Sequence, residues 1–190
     1  MKNSEKRKTL IIIDMQNDFI TGSLKNPAAD AIVEPLTDFI KTWSSDFANI
    51  ICTLDTHETN YLDTNEGKNL PVEHCIRNTA GWCIDDRIQK ALRGKNWERV
   101  QKPTFGSLKW NSILSYLEDT GKNERIILTG TCTDICVVSN ALILKAAFPD
   151  ADVEVISDLC AGLSSELHEA ALKVMKSCQV KITTSKDWRK

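Results

Sequence analysis

The chain has 190 residues, 42% hydrophobic and 26% charged, with 24 basic against 26 acidic side chains for a formal net charge of −2. That length supports one core without disulfides, metals or repeats to hold it, so residues 1–190 read as a single domain. Near-balanced charge gives no footing for a nucleic-acid or membrane partner, and a cytoplasmic protein is expected because the basic start (Lys2, Lys6, Arg7, Lys8) lacks a signal's apolar stretch.

In chain order, Thr9 to Ile13 and Asn49 to Leu54 are Ile-rich apolar runs without alternation, the mark of strands buried on both faces. Arg125 to Thr129 and Val153 to Ile156 repeat the pattern, and Val180 to Thr183 reads as a fifth strand. Helical spacing covers Ala28 to Trp43, Asp85 to Leu92, Leu108 to Leu117, Asp134 to Ala147 and Glu166 to Lys176, the last with Ser165 as N-cap. Strands alternating with helices predict an α/β fold: a three-layer αβα, doubly wound, mainly parallel sheet that binds ligands beyond its carboxyl ends. The stretch from Asp55 to Gly81 is irregular and long for a compact domain, which marks it as functional.

The seven cysteines lie in apolar strings and read as reduced thiols, mostly core. Cys136 follows a strand and a small-residue turn and stands near a helix start, where free N–H groups and the helix dipole favour a thiolate and can hold an oxyanion. A buried apolar role competes, and Cys132 makes a Cys-x-x-x-Cys pair whose spacing differs from redox and zinc motifs. Asp14 directly follows the first strand and can be a general base or a turn cap; Lys102 can be a charge partner or a solvated lysine. Only in combination do a base, a cation and a thiol suit an activated nucleophile.

Two of the three histidines, His57 and His74, fall in the irregular stretch with Asp55, Glu58, Asp63, Glu66 and Glu73. Imidazole with carboxylates suits zinc, manganese or iron, the alternative being a polar surface loop.

Taken together, Ile12-Ile13-Asp14-Met15-Gln16-Asn17-Asp18-Phe19, Lys102-Pro103-Thr104-Phe105 and Gly130-Thr131-Cys132-Thr133-Asp134-Ile135-Cys136 resemble the isochorismatase-like cysteine hydrolases, in their nicotinamidase/pyrazinamidase branch. That resemblance implies Asp14, Lys102 and Cys136 as the catalytic triad, a cis peptide between Thr131 and Cys132, and an oxyanion hole from the N–H groups of Cys132 and Cys136. It also implies a divalent metal, zinc first with manganese or iron as alternatives, on Asp55, His57, Glu66 and His74, with Glu58 and Asp63 competing for the place of Glu66. Phe19, with Phe105 or Trp82, would wall the substrate pocket, and His168 stays outside the chemistry. The sequence departs from the branch at Leu70-Pro71-Val72-Glu73-His74, where nicotinamidases often carry an aromatic residue.

The activity so implied is metal-dependent cysteine amidohydrolysis of a small amide, nicotinamide first, through a Cys136 thioester and in the service of NAD salvage. A homo-oligomer is compatible with it. The rivals are another hydrolase of the superfamily, acting on a different amide or on isochorismate, and a non-catalytic thiol or metal sensor.

Overall fold

The computed structural model describes residues 7–114 and 124–189. Six strands, β1 (Arg7–Ile13), β2 (Asn49–Asp55), β3 (Trp97–Lys102), β4 (Glu124–Thr131), β5 (Asp152–Ala161) and β6 (Lys181–Thr183), form one sheet in the order β3-β2-β1-β4-β5-β6. Every pairing is parallel, which the buried Ile-rich runs predicted. Strand β3 escaped the sequence reading because its Trp-Glu-Arg-Val-Gln-Lys run is polar: it lies at the sheet edge, and only its last residue is buried.

The helices are α1 (Asn17–Ile20), α2 (Pro27–Ala31), α3 (Val33–Trp43), α4 (Asn65–Asn69), α5 (Asp86–Leu92), α6 (Trp110–Ile113), α7 (Val138–Ala147) and α8 (Ser165–Ser177). The single helix expected from Ala28 to Trp43 is thus split in two. Pro35 has no N–H to offer the carbonyl of Ala31, so one continuous helix would lose a bond there. Of the helix expected from Leu108 to Leu117, α6 covers four residues and positions 115–117 lie outside the described residues. Ser164 rather than Ser165 caps α8, its hydroxyl accepting the N–H of Leu167 at 3.1 Å.

Pleating sends Leu10 and Ile12 into one apolar layer with Leu36 and Ile40 of α3 and Ile88 of α5. It sends Ile11 and Ile13 into the other, with Ala141 and Leu144 of α7 and Leu172 and Met175 of α8. The strand order reverses between β1 and β4, the crevice where doubly wound sheets keep their ligands. Registers bring the ends together there: Ile13 pairs with Gly130, and Asp55 with Lys102. Gly130 has a φ of 112°, and a Cβ on it would lie 2.1 Å from the carbonyl oxygen of Ile13, so only glycine lets β4 approach β1 this closely. No helix among the described residues is long and apolar enough to cross a membrane.

Candidate active site

Asp14 leaves β1 with a φ of 48° and is fully buried. Its N–H donates to Thr53 Oγ1 at 3.1 Å, and the Thr53 hydroxyl returns a bond to Asp14 Oδ1 at 2.6 Å. Lys102, equally buried at the end of β3, sets its ammonium 2.6 Å from Asp14 Oδ2, 3.4 Å from Cys136 Sγ and 3.5 Å from Asp55 Oδ1. The structure therefore brings Asp14, Lys102 and Cys136 together from three strand ends.

Burial dominates the electrostatics. It pushes the Cys136 thiol well above its ordinary range; Asp14 adds to this, and the Lys102 charge only partly opposes it. The thiolate expected from a helix start is thus not favoured at rest. Cys136 sits inside a wide turn, Thr133–Val137, with carboxylates for neighbours, and desolvation is the largest influence on its thiol. Burial also raises the carboxyl of Asp14 against the pull of Lys102. For Lys102 itself, burial works to discharge the ammonium, but Asp14, Cys136 and Asp55 overcome it and hold the group charged.

The wide turn is pinned from three sides. The N–H groups of Ile135 and Val137 both donate to the carbonyl of Cys132, at 3.1 and 3.0 Å, and the Thr131–Cys132 peptide is cis. Leu163 N–H donates to Asp134 Oδ1 at 3.0 Å, and Thr133 Oγ1 lies 2.8 Å from His168 Nδ1. One helical turn past the thiol, buried Asn140 uses all of its hydrogen-bonding capacity. Its amide donates to the carbonyls of Cys136 (2.7 Å) and Phe105 (3.1 Å), and its oxygen accepts from Ser107 N–H (3.0 Å) and the Trp110 indole (2.9 Å).

Beside the thiol, Asp55, His57, Glu66 and His74 form a group able to hold a metal ion, with ligand atoms all within 4.8 Å of one another. His57 Nε2 is 3.0 Å from Asp55 Oδ2 and 3.6 Å from Glu66 Oε1; His74 Nε2 is 3.4 and 3.9 Å from the same two atoms. His74 Nδ1 donates to the Val72 carbonyl at 2.8 Å, which turns Nε2 toward the cluster. Burial works to raise Asp55, but hydrogen bonds from both histidines and the Lys102 charge win and hold its carboxyl well below the usual range. Of the competing carboxylates, Glu66 is the one in the group. Glu58 is exposed and accepts from Arg77 Nε at 2.8 Å, and Asp63 is exposed.

A cavity of about 410 Å³ borders both the thiol and the carboxylate–histidine group, lined by Cys132, Cys136, Asp55, Glu66 and His74 among polar residues and by Phe19, Leu70, Phe105, Ile135 and Leu163 among apolar ones. Trp82 does not line it, a correction to the sequence reading: its indole donates instead to Thr56 Oγ1 at 2.8 Å. Sequence reasoning missed the residues that hold this site. Gln16 accepts from Asp55 N–H (2.7 Å) and donates to the Asp55 and Trp82 carbonyls; Asp18 accepts the Cys75 N–H beside His74 at 2.7 Å. Both stand in the motif that begins at Asp14, and Asn140 lies four residues after Cys136; that proximity is the signal by which they could have been found.

Comparison with known proteins identifies the family. Residues 8–187 match the isochorismatase domain. The chain belongs to the isochorismatase family of hydrolases. Among curated relatives, the nicotinamidase of Saccharomyces cerevisiae is 27% identical over 71% of this chain and 80% of its own length. The nicotinamidase/pyrazinamidase of Mycobacterium tuberculosis is also 27% identical, over 94% of this chain and 99% of that protein. Among solved structures, the pyrazinamidase of Pyrococcus horikoshii in complex with zinc superimposes with a TM-score of 0.73 at 25% identity, covering 94% of this isochorismatase-family chain and 99% of that one.

Proposed function

We propose that this chain is a metal-dependent cysteine amidase whose substrate is nicotinamide or a closely related aromatic amide. One observation carries the reading: a single apolar cavity borders both a buried Asp–Lys–Cys cluster and a two-histidine, two-carboxylate group. The names of the relatives supply the substrate class, and salvage of pyridine nucleotides is the role that follows.

The donor set fits a metal. With metal–ligand bonds of about 2.0–2.2 Å, neighbouring ligands stand roughly 3.0–3.5 Å apart; Asp55 lies at that spacing from both histidines, 3.0 and 3.4 Å, and Glu66 a little beyond it, 3.6 and 3.9 Å. Asp55, His57, Glu66 and His74 would hold the ion, with zinc the first choice for imidazole and carboxylate ligands and manganese or iron the alternatives. When bound, it supplies a Lewis-acidic anchor for the ring nitrogen of the substrate.

The residues of the chain do the chemistry. Phe19 and Phe105 flank the ring, and the amide carbon is presented to Cys136. Asp14, made more basic by burial, takes the thiol proton as Sγ attacks, and the Lys102 ammonium stabilises the charge that moves between sulfur and carboxylate. The main-chain N–H groups of Cys132 and Cys136 hold the oxyanion. Asp14 then returns its proton to the leaving nitrogen, ammonia departs, and water hydrolyses the thioester to carboxylate and free thiol.

Ammonia release from nicotinamide tests the proposal. Turnover that disappears on chelation and returns with added zinc is expected, with Cys136→Ala keeping fold and metal content but losing activity. Substantial turnover by Cys136→Ala, or none by metal-loaded wild type, would refute it.

A further inference from the structure

Most exposed apolar residues in a folded chain are scattered, and contiguous ones mark contacts. On α8 they are ordered. Leu167 and Val174 are 45% and 50% exposed and, with exposed Ala170 between them, recur at i, i+3 and i+7. At 3.6 residues per turn these three positions share one ridge about 60° wide. Leu163, 58% exposed, and the exposed Cys178 stand at its two ends. The face beside the ridge needs no further cover, because Ala171, Leu172 and Met175 already bury themselves in the core.

The charges beside the ridge say what covers it. Glu166 and Lys173 lie along the same rim of α8, two turns apart, one toward each end. Neither makes an ion pair among the described residues, nor do Glu169 and Lys176 behind them. Acidic residues in one half of a helix and basic ones in the other make a surface complementary to itself when a second copy runs antiparallel.

We propose that two copies of this chain associate through α8, packed antiparallel about a two-fold axis that passes beside Ala170. Leu167 then meets the partner's Val174, and Glu166 comes level with the partner's Lys173, each contact being made twice. A parallel arrangement would set like charges opposite one another and is disfavoured. A helix of 13 residues is about 20 Å long, and one such ridge covers less than the roughly 800 Å² per partner of a standard interface. Association in the micromolar range is therefore expected. The contact also reaches the catalytic cavity, because Leu163 at the end of the ridge lines it.

Sedimentation velocity on the full chain over a concentration series tests the proposal, with circular dichroism as the check on folding. Wild type should dimerise, and Leu167→Glu should sediment as a folded monomer. Glu166→Lys alone and Lys173→Glu alone should each weaken the dimer about tenfold or more, and the double exchange Glu166→Lys/Lys173→Glu should restore it, because the ion pairs are re-formed with reversed sign. Rescue by the double exchange holds even if Leu167→Glu folds poorly. A wild type that stays monomeric, a dimer indifferent to the single exchanges, or a double exchange no better than the singles would each overturn it.

Discussion

Replacing Asn140 by Ala should cost more than any other polar substitution outside the cluster at Cys136. The side chain is fully buried, and three of its four hydrogen bonds go to the buried residues Ser107, Trp110 and Cys136, the fourth to the carbonyl of Phe105. Removing it orphans two N–H groups and two carbonyls, at about 1–3 kcal/mol each before relaxation. Collapse and entering water recover part of that sum, and a net loss of about 3–5 kcal/mol is expected, at the upper end for single substitutions. Asn140→Asp separates the two halves of the network. It keeps the bonds from Ser107 and Trp110 but sets a carboxyl against the carbonyls of Cys136 and Phe105, where only the protonated form can donate. The folded state then binds that proton more tightly than the unfolded chain does, so this variant should regain stability as pH falls through the carboxylate range. Urea unfolding at several pH values measures both effects, and ammonia release should show kcat falling more than KM rises as Cys136 loses its anchor. A loss below about 1 kcal/mol for Asn140→Ala, or a pH-independent Asn140→Asp, would refute the assignment.

Trp188 is buried, stacks on Phe47 at 5.3 Å and meets Phe39 and Trp43 edge-on, so Trp188→Ala should cost about 3–5 kcal/mol in thermal or urea unfolding. Asp85 caps α5 and pairs with Arg87; burial works to raise it, but these bonds hold its carboxyl below the usual range. Its contribution is therefore present above the unfolded pKa of about 3.9 and lost as pH falls through the lower folded value, and Asp85→Ala should lose about 1–2 kcal/mol at neutral pH and less in acid. Glu124 has the opposite sign. Burial raises its carboxyl, with Arg7 Nε 4.0 Å away as a weak counterweight, so Glu124→Gln should stabilise the protein at neutral pH and lose that advantage below the carboxylate range, read from melting temperatures against pH.

The strands that cross the core were legible because burial on both faces demands uninterrupted Ile, Leu and Val. β3 was not, since an edge strand satisfies the sheet with backbone bonds while its side chains face water. Strand ends and a helix start singled out Asp14 and Cys136, and residue type drew attention to the irregular stretch, but the triad with Lys102 and the set Asp55, His57, Glu66 and His74 were implied by the motif resemblance. Asn140, Gln16 and Asp18 stand in or beside the motifs, but their role was not legible because a buried amide or carboxylate becomes a tether only when the fold brings distant carbonyls and N–H groups to it. Trp82 was misplaced for a related reason: an indole is as well used against a threonine hydroxyl as against a substrate ring. A sequence shows a helix start but not how deeply the Cys136 thiol lies beneath the surface, and it is that burial which pushes the thiol up.

The junction of β1 with β4 also bears on how the chain acquires its activity. Arg7 pairs with Glu124 and Ile13 with Gly130, the most distant partners along the chain in the sheet. Everything on the β3-β2-β1 side, from Asp14 to Lys102 and including all four metal-ligand candidates, lies in one continuous stretch, whereas the thiol and its turn come from the other side. Closing that long loop is entropically costly and slow. A folding intermediate in which only the first half has formed could capture a metal yet hydrolyse nothing, so metal uptake and the onset of amidase activity should be separable in time during refolding.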